Sequence, residues 1–305
     1  MSRTPVIGLA LGSGSARGWA HIGVIQGLEE LGIQPQVVAG TSIGALVGAV
    51  YVSDQLDAFA DWVQGLTSRD VFGLLDFTLA GGLVKGERLF SFFREKHHNP
   101  DIESLQRRFV TVATEMKSGR EVWIRHGPVL RAARASCALP GVFSPVRVDD
   151  RWMLDGGLVN PVPVSACRAL GADIVIAVNL NAQLVGTHMP RHNRAEEAQA
   201  QDTGQDPGLW EKMASYFISD SRDEDAEPGL LDVVSASINI MQDRITRSRM
   251  AGDPAEISLL PQLEDFALMD FHRAKEAIEE GRALVHRRRE EILSWVGQPH
   301  EPLQV

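Results

Sequence analysis

Ser42 stands in Gly40-Thr41-Ser42-Ile43-Gly44, the G-x-S-x-G spacing of a nucleophile elbow. The apolar run Val37-Val38-Ala39 leads into it, and a small-residue helical pattern continues to Val50. That order reads as strand, sharp turn, helix. Gly40 and Gly44 flank the serine because side chains there would collide as the strand folds straight into a helix. The turn would hold the Ser42 hydroxyl at the edge of the sheet. The N-terminus of the helix would direct partial positive charge toward an oxyanion formed there. Alone, the pattern also fits an ordinary glycine-rich strand–helix turn, so the rest of the chain must decide.

A serine hydroxyl attacks well only when a neighbouring base takes its proton. In the α/β-hydrolase order a histidine follows the acid. His188, His192, His272, His286 and His300 do follow the candidate acid, but they lie in polar or charged surroundings and off any strand-end loop. His97, His98 and His126 precede it, as does His21, which reads as a packed or capping residue of the first helix. A Ser-His-Asp triad is therefore poorly supported. Asp155 is better placed. It follows the apolar Trp152-Met153-Leu154 and precedes Gly156 and Gly157, which let the backbone turn tightly and bring the carboxylate to another loop. The hypothesis is a Ser42–Asp155 dyad in which Asp155 takes the Ser42 proton directly.

A third glycine loop, Gly12-Ser13-Gly14-Ser15-Ala16-Arg17-Gly18, lies between a strand-like stretch at 6–11 and a helical one at 19–28. Such a loop offers backbone N–H groups to an anion. A dinucleotide site is disfavoured. Arg17 stands where G-x-G-x-x-G needs its third glycine, and the second strand ends in Gly-Thr-Ser rather than an acid. A Walker loop would need G-K-[ST]. An oxyanion hole fits both loops at once, because neighbouring strands of an open α/β sheet deliver them to its carboxyl edge, where ligands bind.

The elements that must position these loops follow in order. Residues 45–68 read as helical, 109–114 and 121–124 as partnered strands, and 128–138 as a helix ending before Pro140. Residues 150–154 lead into Asp155, and 173–180 form a buried strand. Residues 230–250 read as a helix with Leu231, Val234, Ile238 and Met241 on one face, 257–260 as a last strand, and 270–296 as one long charged helix. The apolar, glycine-broken 70–98 reads as a lid or acyl-channel wall, or equally as a peripheral helix. Residues 183–228 read as a polar, partly disordered insertion with a short amphipathic helix at 209–218.

The 305-residue chain is 44% hydrophobic, enough for a sizeable core, and its net charge of −10 argues against a nucleic-acid surface. Cys137 and Cys167 make neither a disulfide framework nor a metal set, and no metal or cofactor is implied. The N-terminus lacks the apolar core of a signal peptide, and the most apolar long window, 37–52, is too short to span a bilayer. The expectation is a cytoplasmic protein that meets a membrane only peripherally, at the inner surface.

Taken together, Gly-x-Gly-x-x-Arg-Gly at 12–18, Gly-Thr-Ser-Ile-Gly at 40–44 and Asp-Gly-Gly at 155–157 resemble the three motifs of patatin-like phospholipases. The similarity is to the bacterial branch related to the neuropathy target esterase catalytic domain. Ala135-Ser136-Cys137-Ala138-Leu139-Pro140, with Phe143 and Pro145, is similar to the segment before the acid in that family. The resemblance implies a three-layer α/β/α sandwich with a mostly parallel central sheet. It implies one domain over 1–305, with a core of 5–180 plus 230–296. It implies Ser42 as nucleophile, Asp155 as general base, and amides around Gly14, Ser15 and Ala16 as the oxyanion hole. Gly12, Gly18, Gly40, Gly44, Gly156 and Gly157 would support the loops, and Arg17 would brace its loop or attract a phosphate headgroup. The chain departs at Ser13 and Ser15, where many members carry glycine. The implied activity is hydrolysis of phospholipid, lysophospholipid or simpler carboxylic esters. A transacylase using the same residues and a non-catalytic lipid-binding module are the alternatives.

Overall fold

The computed structural model describes residues 4–74, 99–140, 142–182 and 230–297. The insertion expected at 183–228, and all but the start of the apolar 70–98, lie outside the described residues. The strands are β1 (Ile7–Leu11), β2 (Val37–Thr41), β3 (Arg108–Glu115), β4 (Glu121–Ile124), β5 (Val146–Val148), β6 (Arg151–Asp155), β7 (Ile174–Val178) and β8 (Ile257–Leu259). The helices are α1 (Ala20–Glu30), α2 (Ile43–Val52), α3 (Leu56–Gln64), α4 (Ser68–Leu74), α5 (Val129–Ser136), α6 (Val164–Ala169), α7 (Leu230–Gly252), α8 (Ala274–Arg287) and α9 (Arg289–Val296).

The sheet runs β5-β6-β3-β2-β1-β7-β8, with β4 also on β3. The neighbours from β3 through β8 are parallel, and β4, β5 and β6 are antiparallel additions. Strand alternation sorts the core into two layers. Leu9, Leu11, Val38 and Ile176 face one side, against α1, α2 and α8. Ala10, Val37, Ala39, Val110 and Val175 face the other, against Val164, Ala166 and Cys167 of α6. Helices thus cover both faces of a mostly parallel sheet, the expected three-layer sandwich.

Strand β3 sets the position of the candidate dyad. β4 takes one edge of it over Thr111–Thr114. β2 and β6 overlap that stretch, so both must lie on the other edge, β2 along Arg108–Val112 and β6 along Ala113–Glu115. β2 runs with β3 and β6 against it, so their carboxyl ends meet head to head. Thr41 is opposite Val112, and Asp155 is opposite Ala113.

Two element boundaries and one helix face differ from the sequence reading. The helix expected over 45–68 is two helices, broken where Asp54 takes a positive φ of 56°. The long C-terminal helix is likewise two, parting at Arg288. Met241, expected on the apolar face of α7, is about half exposed, at 48%. The C-terminal elements belong to the same sheet and core. β8 pairs with β7, and α8 crosses α1 so closely that a Cβ on Gly23 would lie 1.8 Å from Ile278 O.

Candidate active site

Ser42 sits between β2 and α2 with φ 56° and ψ −125°. That conformation is costly for a non-glycine residue, on the order of 1–3 kcal/mol, and persists only where its surroundings enforce it. Both flanking glycines are required by space. A Cβ on Gly40 would lie 2.5 Å from Ala45 Cα, and one on Gly44 2.2 Å from Leu11 O. The elbow is thus jammed against its own helix on one side and the end of β1 on the other. The Ser42 N–H donates to Ser136 Oγ at 2.8 Å, and Ser136 Oγ–H donates to Val112 O at 2.5 Å. The Cys137 thiol donates to Ser42 O at 3.0 Å. The end of α5 therefore grips both backbone groups of the serine.

The Ser42 hydroxyl donates to Asp155 Oδ2 at 2.5 Å. Asp155 has no exposed surface. Its other oxygen, Oδ1, accepts the Gly157 N–H at 2.7 Å, and its backbone is fixed by Ala138 O at 2.9 Å and by the Thr114 hydroxyl at 2.8 Å. Burial pushes its carboxyl up to about 6, against the lowering effects of the Ser42 and Gly157 hydrogen bonds. Gly156 is forced by contact, since its Cβ would lie 2.1 Å from Val112 O.

The glycine loop lies beside the elbow because β1 and β2 are neighbours, with Leu11 opposite Gly40. Gly12 N–H donates to Val178 O at 3.1 Å and Ser13 N–H to Pro161 O at 2.8 Å. The Ala16 N–H donates to Leu268 O at 3.3 Å, and Ser15, at a positive φ of 50°, anchors its hydroxyl on the same carbonyl at 2.6 Å. Of the three expected oxyanion donors, Gly14 and Ser15 keep amides with no acceptor among the described residues. Arg17 is buried and its Nε–H donates to Gly14 O at 3.2 Å, which is the bracing contact. Burial lowers its guanidinium to about 10. Gly18 fits against Ile43, where a Cβ would come within 2.1 Å of Cγ1. His21 bonds Gly12 O through Nε2 at 2.8 Å, a loop-packing position as expected. Of the other described histidines, His126 pairs with Glu103 and His286 with Glu30, and neither these nor His272 lines the cavity onto which Ser42 opens.

Ser42 opens into a cleft continuous with solvent, with about 960 Å³ of empty space when the open solvent at its mouth is included. Gly14, Ser15 and Arg17 line its polar end, and Trp19, Leu46, Trp62, Leu139, Phe143 and Phe271 its apolar walls. Val71 of α4 also lines it, so the described start of the 70–98 stretch does reach the cavity. Among the described residues, no cluster of histidine, cysteine and carboxylates could hold a metal, and no helix is long and apolar enough to cross a membrane.

Sequence reasoning missed three contributors. Ser136 was legible only as part of a resembling segment. Asn160, whose backbone carbonyl accepts from the Thr41 hydroxyl at 2.9 Å, carries no local signal. Gln242 lines the cavity from α7, more than two hundred residues from the glycine loop.

A family model described as patatin-like phospholipase matches residues 9–168, which hold all three motif loops. An NTE family protein of Mycobacterium tuberculosis strain H37Rv is 34% identical over 329 aligned residues, covering 93% of this chain and 91% of its own length. The chain belongs to the patatin-like phospholipase family. It is also 28% identical to the lysophospholipase NTE1 of Coccidioides immitis, over 90% of this chain but 17% of that protein. The mouse patatin-like phospholipase domain-containing protein 6 is 31% identical over 58% of this chain and 14% of its own length.

Proposed function

We propose that this protein is a serine hydrolase of lipid acyl esters, with Ser42 as nucleophile and Asp155 as general base. The observation that carries the reading is the 2.5 Å contact between Ser42 Oγ and Asp155 Oδ2, made without an intervening imidazole. A base pushed up to about 6 is matched to proton transfer near neutral pH. Ser42 Oγ attacks the ester carbonyl while its proton passes to Asp155. The Gly14 and Ser15 amides receive the oxyanion. Asp155 then returns the proton to the leaving alkoxide, and the acyl group stays on Ser42. Water attacks the acyl-enzyme, giving its proton to Asp155, and the acid leaves as Ser42 Oγ is reprotonated.

The apolar cavity walls favour an acyl chain over a polar substrate. The lysophospholipase name of the fungal relative agrees with a phospholipid or lysophospholipid ester. α7 lines the cavity through Ile238 and leaves Ile240 and Met241 about half exposed, at 51% and 48%, which supports peripheral contact with a lipid surface. The pairing of β8 with β7 supports a single domain that includes the C-terminal segment.

The test is hydrolysis of a short-chain nitrophenyl ester together with fluorophosphonate labelling. Wild type is expected to turn over and label at Ser42, and Ser42→Ala and Asp155→Asn to lose turnover. Full activity in Ser42→Ala would falsify the reading. Diversion of product from free acid to ester by an added alcohol would move it to acyl transfer. A panel of phospholipids and lysophospholipids, profiled before and after incubation, then assigns the substrate.

A further inference from the structure

The strongest unexplained polar cluster joins the glycine loop to α7. Gln242 is 5% exposed, lines the cavity and sits outside the stretch matched by the family model. Its Oε1 accepts the Ser13 hydroxyl at 2.8 Å and the Asn181 Nδ2–H at 2.8 Å. Asn181 Nδ2 also reaches Ser13 Oγ at 3.3 Å, and the Asn181 backbone N–H is pinned by Asn179 Oδ1 at 3.0 Å. The three side chains are all buried and close a triangle. With Oε1 on Ser13 and Asn181, Nε2 faces the acid turn. There a Cβ on Gly157 would lie 2.5 Å from Gln242 Nε2 and 3.0 Å from Asp155 Oδ1.

We propose that Gln242 is a positioning residue for the reaction, holding the glycine loop at a fixed distance from the Asp155 turn through Ser13 and Asn181. The proposal rests on the hydrolase reading of the same site. Ser13 precedes Gly14, whose amide is one of the two free donors. A loop that shifts at Ser13 carries that donor away from the oxyanion. The serine at this position is thus tied to a glutamine on a distant helix. Gly157 is glycine partly because the amide of Gln242 occupies the space above it. Small misplacements of this kind cost about 10- to 100-fold in turnover.

The test uses the full chain with Gln242→Met, which keeps length and loses the bonds, and Ser13→Ala, which loses only the hydroxyl. Each is expected to lower kcat on a soluble ester and the rate of Ser42 labelling by about tenfold or more, with KM within about twofold. The acid limb of the rate profile, set by Asp155, should not move. The double variant should lose less than the product of the two single losses, because both changes cut the Ser13–Gln242 bond. Wild-type kcat in folded Gln242→Met, or losses that multiply in the double variant, overturn the proposal. If Gln242→Met does not fold, Ser13→Ala alone decides, and wild-type kcat there overturns it. A wild type that neither turns over nor labels overturns the hydrolase reading itself, whereas a reactive wild type with unaffected variants removes only the role of Gln242.

Discussion

Ser136 Oγ accepts the backbone N–H of Ser42 at 2.8 Å and donates its hydroxyl hydrogen bond to Val112 O at 2.5 Å. One hydroxyl thus ties the elbow to the strand that also positions Asp155. Ser136→Ala leaves the buried Ser42 N–H without its partner and removes a hydrogen bond from Val112 O, at a cost of about 1–3 kcal/mol. Thermal melts should show that loss, and ester turnover should fall further than the fraction folded. Wild-type turnover in a destabilised but folded Ser136→Ala would reduce the bridge to a purely structural role.

Gly44→Ala tests whether the elbow tolerates any side chain. Its Cβ would lie 2.2 Å from Leu11 O, a backbone atom of a central strand that cannot step aside. Overpacking of this kind costs roughly 1–3 kcal/mol or more. Because the clash lies between the elbow and β1, it should also part Ser42 from the glycine loop. The expected outcome is a lowered melting temperature and loss of fluorophosphonate labelling in the protein that remains folded. Gly73→Ala, whose Cβ would meet nothing within 4 Å among the described residues, is the matched control and should melt like wild type.

The legible part of this protein was the part written in short range. Glycine spacing around Ser42, Gly14 and Asp155 pointed to three loops because tight turns and close backbone contact admit few other residues. Apolar runs marked β1, β2 and β7, which are buried on both faces. The sequence could not disclose that β2 and β6 abut along one edge of β3, since that depends on the register of Thr41 with Val112 and Asp155 with Ala113. Val146–Val148 is too short to alternate, so β5 carried no signal. The bonds of Ser13 and Asn181 to Gln242 span 229 and 61 residues, and a polar residue on a surface-like helix gives no hint of such a partner. The break at Arg288 was hidden for a different reason: the charged pattern continues smoothly across it.

Lipid presentation should separate two uses of α7. Ile240 and Met241 are about half exposed on the helix that contributes Ile238 to the cavity. Ile240→Glu with Met241→Glu removes apolar surface and adds negative charge, leaving Ser42 and Asp155 untouched. Turnover of a soluble nitrophenyl ester should stay within about twofold of wild type. Hydrolysis of lysophospholipid in anionic vesicles should drop by about tenfold or more, along with vesicle co-sedimentation. Equal activity of wild type and variant on vesicles would remove α7 as a membrane contact.

Asp155 and His21 should bend the stability curve in opposite directions. Burial pushes Asp155 up to about 6 from 3.8, and it pushes His21 down to about 4 from 6.5 despite the hydrogen bond to Gly12. The Asp155 carboxyl keeps its proton in the folded state after the unfolded chain has lost it. Its contribution is therefore full below 3.8 and is lost as pH rises through 6. His21 works the other way: the unfolded chain binds the proton first, so stability is lost as pH falls from 6.5 toward 4. Each effect is about 3 kcal/mol at about 1.4 kcal/mol per unit, and in wild type they largely cancel between pH 4 and 6. Asp155→Asn removes one of them. Its unfolding free energy relative to wild type should climb by about 3 kcal/mol between pH 4 and pH 7 in urea titrations. Over the same range wild-type ester turnover should rise through about pH 6 as the base ionises, while Asp155→Asn stays inactive. A pH-independent stability difference would mean that the Asp155 carboxylate is not paying a burial penalty, and the general-base assignment would lose its electrostatic support.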